Sequence, residues 1–296
     1  MSLVVSSWHD VVGLAEKLSI PMPANRCATE VEYLALWKKC LSADKPAASP
    51  TDLLAMAVTG GLLADRMAWV FVGGYQSAIR HTFMHEAFSG WGAFAVSEDR
   101  KGQPPLPGVT VHNSAQGDVV SGYKTWVACS DSVEHVVIKA GAGADAGYFN
   151  IHRSTPGLTV TSKQAGAKPG SFLAEMSQGI AHLQDVAVGQ VLDNSEVVRF
   201  GIRETLYIYC AFCAHAGQFY SNQVDVEVCA ELIRRLGALL ENLPADQIGL
   251  DELKAVDTAV QKLLGQISPD AAGANWAKDS GLIAMYSPGI QKREMT

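Results

Sequence analysis

Apolar positions along the chain follow three successive rhythms. Over residues 11–18 and 31–41 they return near every 3.6 positions, which predicts two amphipathic helices with breaks at Pro21, Pro23 and residues 47–50. Ser49-Pro50-Thr51-Asp52 ahead of Leu53 predicts a helix start, with Ser49 as N-cap and Pro50 at the first helical position. Residues 53–79 are apolar almost throughout and approach a membrane span in length. Asp65-Arg66 in mid-segment, with the pairs Gly60-Gly61 and Gly73-Gly74, favours buried helices instead.

The rhythm changes to strands over residues 91–138. An apolar run at 91–96 stops at Ser97-Glu98-Asp99-Arg100, and the Pro104-Pro105-Leu106-Pro107 connector leads to alternating Val109 and Val111. Gln116-Gly117-Asp118 reads as a hairpin turn, followed by Val119-Val120, the run Tyr123-Lys124-Thr125-Trp126-Val127-Ala128, and a β-branched stretch at 133–138. Short strands this closely spaced predict an antiparallel sheet or barrel. Helical periodicity resumes at Glu196: residues 198–222 are apolar on nearly all faces, as in a central bundle helix, and 227–241 and 250–264 are amphipathic. The expectation is therefore an α+β multidomain chain: an N-terminal helical domain (1–90), an antiparallel β-barrel middle domain (91–193) and a C-terminal helical domain (194–296).

Composition narrows the function classes. With 296 residues, 48% hydrophobic, the chain can bury one large core or a few small ones. A net charge of −7, with Lys and Arg scattered, gives no footprint for nucleic acid. Six cysteines without a secretory framework point to a reducing, cytoplasmic compartment and no disulfide. Trp8-His9-Asp10 interrupts the opening apolar stretch, so no signal peptide or membrane anchor is expected.

Two motifs within the strand region carry a resemblance. The strand ending in Ser97-Glu98, followed by the G-x-K-x-W-V pattern of Gly122, Lys124, Trp126 and Val127, is similar to the flavin-binding middle domain of the acyl-CoA dehydrogenase family. Phe149-Asn150-Ile151, Gly157-Leu158-Thr159-Val160 and 182–188 resemble its later strands, so the likeness covers roughly residues 50 to 220. It implies FAD, with Ala95, Val96, Ser97 and Glu98 along the pyrimidine side of the isoalloxazine and Trp126, Val127 and Ala128 covering the ring. The family usually has Thr-Glu at the first motif and a hydroxyl residue that bonds the flavin N5 at the second. Here Ser97 and Ala128 stand there, and Ala128 has no hydroxyl to give. The Arg-x-x-Phe-Gly segment and the Gly-Gly-x-Gly turn that hold the dinucleotide across a subunit interface in the family have no counterpart, and the C-terminal bundle is expected to be shortened.

The resemblance further implies oxidation of an acyl-CoA or similar thioester, with electrons passed to a separate acceptor, by a homodimer or homotetramer. A degenerate binding or assembly protein and a flavin-dependent monooxygenase on the same scaffold are the alternatives. Dehydrogenation requires a desolvated carboxylate to take the α-proton, and some members place it on the first long helix after the barrel, where this chain has Glu204. A plain Arg203–Glu204 ion pair is the competing reading of that residue. Glu98 stands either at the site's lip or as a solvated loop carboxylate; Trp126 either as flavin wall or as core aromatic; Lys124 is expected to point to solvent. Cys210, Cys213 and His215 lie in an apolar helix, and His81 and His85 lack a third partner, so no metal site is expected. Gly-x-Ser-x-Gly, P-loop and GxGxxG patterns are absent.

Overall fold

Four helices precede the first strand: α1 (Trp8–Lys17), α2 (Glu30–Cys40), α3 (Pro50–Leu63) and α4 (Met67–Thr82). They come from a computed structural model that describes residues 4–18, 27–41, 49–115, 117–143, 146–163, 172–189, 191–193, 195–243, 247–272 and 275–294. α2 starts in a reciprocal cap, the Thr29 hydroxyl accepting from the Glu32 amide while the Glu32 carboxylate accepts from the Thr29 amide. α3 starts where the sequence indicates, the Asp52 amide donating to Ser49 Oγ at 3.2 Å with Pro50 in the first turn. The apolar stretch 53–79 is split between α3 and α4 by residues 64–66. Among the described residues no helix is long and apolar enough to cross a membrane.

α3 and α4 are buried along nearly their whole length because backbones pack against backbones. Gly60 lies against Gly73 where the two helices cross, and the Tyr33 hydroxyl seals the crossing by donating to Gly60 O at 2.9 Å. Both helices also abut α5 (Phe200–Phe219), the long helix after the strands: a Cβ on Gly61 would fall 2.0 Å from Ala211 O, one on Gly74 2.5 Å from the Ile208 backbone. Helices this close cannot absorb a methyl group without sliding. Gly61→Ala is therefore expected to cost about 2 kcal/mol of stability, read as a lowered urea midpoint; an unchanged midpoint would show that α3 and α5 can separate freely.

The strands form two sheets. One runs β1 (Gly92–Ala95), β4 (His135–Ala140), β5 (Gly147–His152); the other runs β2 (Thr110–Ser114), β3 (Gly117–Ala128), β7 (Gln178–Ala187), β6 (Leu158–Ser162). Gly117 opposes Ser114 at the predicted hairpin, with φ +117°, a conformation glycine adopts freely; Gln116 lies outside the described residues. Between the sheets lies an apolar core that includes Val120, Val127, Val136, Ile138 and Leu183.

The expected closed antiparallel barrel is not what the described residues form. β1 pairs in parallel with β4, and the two sheets stay distinct. The reason lies at the outer edge of β1, which α4 occupies with side chains. Gln76 Nε2 donates to Gly92 O at 2.8 Å, Gln76 Oε1 accepts from Gly92 N at 2.9 Å, and the Tyr75 hydroxyl accepts from Phe94 N at 2.8 Å. An edge satisfied by a helix needs no further strand.

After β7 a 3-10 turn (Val197–Arg199) leads into α5, α6 (Val226–Glu241) and α7 (Gln247–Gln266). Four short helices close the described chain: α8 (Pro269–Ala272), α9 (Trp276–Asp279), α10 (Gly281–Ala284) and α11 (Ser287–Gln291). The helices and the helix-facing side of the sheets share one continuous core.

Candidate functional site

β1 stops at the buried Ala95, and the chain beyond it emerges: Val96 is 39% exposed, and Ser97 and Glu98 face solvent. The Thr125 amide donates to Ser97 O at 2.9 Å, bridging the two sheets and fixing this emerging edge next to Trp126. The two segments singled out in the sequence, 95–98 and 126–128, are thereby brought together.

A register irregularity between Lys124 and Val127 in the β3–β7 ladder sets which way each side chain points. Val127 turns into the core between the sheets, whereas Trp126 and Ala128 turn toward the helices. Trp126 remains half-buried. Its indole N–H donates to Gln178 Oε1 at 3.1 Å, and its ring meets Phe71 (6.2 Å, 77°) and Tyr75 (6.3 Å, 74°) edge-on. A flat apolar wall thus stands beside a strand end with exposed polar residues. A cleft of about 450 Å³ continues from Val96, Ser97 and Glu98 past Arg100, Lys139 and Gly141, and places two cations along it.

Lys124 does not point to solvent as expected. Its side chain is 0% exposed, on the face of β3 that it shares with Val120 and Gly122, because the second sheet covers that face. Its ammonium donates to Glu98 Oε1 at 2.5 Å. Burial lowers the Lys124 pKa although Glu98 opposes the shift, and the bond from Lys124 holds Glu98 below the usual carboxylate range against the effect of its own partial burial. Glu98 is accordingly an anchored carboxylate at the lip rather than a freely solvated one.

Glu204 sits one turn into α5 with its neighbour turned elsewhere, since Arg203 donates to the Glu196 carboxylate. Among the described residues Glu204 has no hydrogen-bond or ion-pair partner, and burial alone pushes its pKa up to about 7. The simple Arg203–Glu204 pair is therefore not formed. The phenols of Tyr75 and Tyr286 are raised by burial and further by the charge of Glu204, which places that carboxylate in their neighbourhood. Tyr75 is also the ring that meets Trp126. Tyr75 thus stands near both Glu204 and Trp126, with the Phe200 ring 6.0 Å from its own.

Tyr75, Gln76, Gln178 and Tyr286 are not foreshadowed by any sequence pattern. The first two lie in a helix apolar on every face, where nothing in the periodicity separates a core residue from one that holds a strand edge. For Lys124 a signal existed: Val120, Gly122 and Lys124 share a parity and hence a face. His81 Nδ1 lies 2.9 Å from the Tyr207 hydroxyl, and Cys210 and Cys213 are fully buried with their thiols pushed up by burial. No group of three metal-ligating side chains occurs among the described residues.

No family model and no curated protein matches the sequence. Solved structures do resemble the fold over nearly its full length. An FAD-dependent dehydrogenase aligns with a TM-score of 0.67 at 14% identity, covering 97% of this chain and 96% of that one. The prolyl acyl carrier protein oxidase AnaB aligns at 0.59 and 11%, covering 96% and 99%. A glutaryl-CoA dehydrogenase from Mycobacterium smegmatis in complex with FADH2 aligns at 0.51 and 13%, covering 96% and 92%. Likeness at such identities speaks to architecture, and with the two motif segments side by side it establishes that this chain has the acyl-CoA dehydrogenase fold.

Proposed function

We propose that the protein is an FAD-dependent oxidoreductase that removes a proton and a hydride from an acyl thioester, with Glu204 as the base. The observation that carries this reading is the carboxylate of Glu204, partly buried near the aromatic wall and without a hydrogen-bond or ion-pair partner among the described residues. A carboxylate that burial has raised to about 7 is matched to taking a proton near neutral pH, and the protein spends stability to keep it there. A structure of this fold in complex with FADH2, another named as an FAD-dependent dehydrogenase, and the prolyl acyl carrier protein in the name of the oxidase AnaB support the cofactor and substrate class.

The residues present fit the cofactor in part. Val96, Ser97 and Glu98 would line the polar edge of the isoalloxazine, Trp126 would cover its face, and Arg100 and Lys139 along the adjoining cleft would take the phosphates. Bound there, FAD supplies the hydride acceptor. The protein's own groups do the rest: Glu204 holds and moves the α-proton, while Trp126, Phe71, Tyr75 and Phe200 exclude water. Ala128 offers a methyl group where the family has a hydroxyl, so no side chain at that position hydrogen-bonds the redox nitrogen. The homodimer or homotetramer rests on the family resemblance alone; every copy of this chain lacks the same pyrophosphate motifs, so any contact a second copy adds to the dinucleotide comes from other residues.

Anaerobic addition of acyl-CoA and acyl carrier protein thioesters to the flavin-loaded protein tests the reaction. Loss of the oxidised-flavin absorbance is expected with at least one of them; absorbance that never falls, with a product hydroxylated on reoxidation of externally reduced flavin, would favour a monooxygenase. Trp126→Ala is expected to weaken FAD binding about tenfold to a hundredfold, the usual range for losing one stacked aromatic face, measured by flavin fluorescence titration.

A further inference from the structure

About eleven residues beyond Glu204 along α5, roughly 16 Å at the helical rise, His215 lines a separate cavity of about 210 Å³. His215 is 1% exposed, and its Nδ1 lies 2.6 Å from Ala64 O. A carbonyl oxygen can only accept, so Nδ1 carries the proton and Nε2 presents a bare lone pair. Burial lowers the imidazole pKa to about 4 and keeps the ring neutral. Among the described residues that Nε2 is buried without a partner.

Glu175, which lines the same cavity, holds a second orphan. Glu175 Oε1 accepts from Asn275 Nδ2 at 3.1 Å, whereas Glu175 Oε2 is buried and unpartnered. Arg66 cannot serve it well, because its guanidinium is committed to Asp65 through two bonds of 2.9 and 3.1 Å and reaches Glu175 only at 3.5 Å. With Asp279 the walls bring three carboxylates to one guanidinium, so the excess charge is negative.

Both orphaned atoms are acceptors, and a buried acceptor left bare is costly enough that native structures rarely keep one. A metal ion lacks the ligand set, since no three metal-ligating side chains gather among the described residues. Trp276 and Tyr220, with rings 6.0 Å apart and inclined at 58°, give the cavity an aromatic side suited to carbon and to positive charge. We infer that this cavity binds a small primary or secondary organic ammonium ion, its N–H groups donating to His215 Nε2 and Glu175 Oε2 and its carbon skeleton lying against Trp276 and Tyr220.

The test is calorimetric titration of the full-length protein with n-propylammonium, with n-propanol and tetramethylammonium as probes that lack the charge or the donors. Saturable binding of n-propylammonium is expected, about tenfold or more tighter than either control, and Glu175→Gln should weaken it about tenfold, as the loss of a charge-assisted hydrogen bond does. In parallel, the nitrogen resonance of His215 Nε2 in the unsubstituted protein should move on saturation, a measurement independent of how any variant folds. No saturable binding with an unmoved resonance, meaning ordered water alone in the cavity, would overturn the inference. Equal affinity for tetramethylammonium or n-propanol would do the same, as would full affinity in a folded Glu175→Gln.

Discussion

Glu204→Gln is expected to abolish flavin reduction by an acyl thioester and, at pH 8, to leave the protein more stable than the wild type. The first effect follows from removing the base, which contributes about a hundredfold to ten-thousandfold in general base catalysis. The second follows from linkage. The Glu204 pKa rises from an ordinary 4.5 to about 7 in the folded protein, so the folded state holds this proton more tightly than the unfolded state does. The stability contributed by the neutral, partly buried carboxyl is fully present below pH 4.5, declines as pH rises from there, and is gone above about 7. The difference amounts to about 3 kcal/mol, taken as an order of magnitude. Gln does not titrate. Urea unfolding should therefore find the variant equal to the wild type near pH 4 and ahead of it by up to about 3 kcal/mol at pH 8, while wild-type flavin reduction accelerates as pH rises through 7. A variant less stable than the wild type at pH 8 would make Glu204 a structural partner instead of a base.

The Glu98–Lys124 pair yields the second large effect, and it is asymmetric. Lys124 is 0% exposed and Glu98 37% exposed in their side chains. Glu98→Gln strands a cation between two sheets with no counter-charge within bonding distance, a situation that costs about 3 kcal/mol or more. Lys124→Met removes the buried charge and leaves Glu98 free to turn to water, so it should cost less than about 1.5 kcal/mol, the scale of a volume-conserving core change. Measured by urea unfolding at pH 7, the two variants should differ by more than a factor of two. Equal costs would show that water reaches Lys124 when its partner is gone. Because Glu98 ends the emerging edge, Glu98→Gln should also weaken FAD retention, whereas Trp126 remains in place.

Much of this architecture is legible in the sequence, for reasons that particular residues make plain. The start of α3 is written in Ser49-Pro50, which meets a local requirement of the helix terminus, and the β2–β3 hairpin in Gly117, which takes a backbone angle that few other residues accept. The adjacency of 95–98 and 126–128 could be read only through the family resemblance, since the bond between Thr125 N–H and Ser97 O joins residues with no shared periodicity. The closed antiparallel barrel was misjudged because strand direction and sheet closure depend on what fills the outer edge of β1. That edge is filled by Tyr75 and Gln76 from a helix whose uniform apolarity conceals them. Lys124 was misplaced because charge suggested solvent, while the alternation of β3 and the second sheet put it inside. Glu204 stands on the first long helix after the strands, the place where the resemblance implies a base. Its isolation from Arg203 depends on Glu196, seven residues earlier on the other side of a 3-10 turn, which no local pattern reveals.

On the function proposed above, the exposed edge at 96–98 and the Trp126 face together hold a flavin. Gel filtration of the purified protein after incubation with FAD, with flavin and protein quantified in the same fractions, tests it most directly. Flavin should co-elute with folded protein in stoichiometric amount and be largely lost from Trp126→Ala. A folded wild-type protein that elutes without flavin, or a Trp126→Ala variant that retains it in full, would contradict the claim.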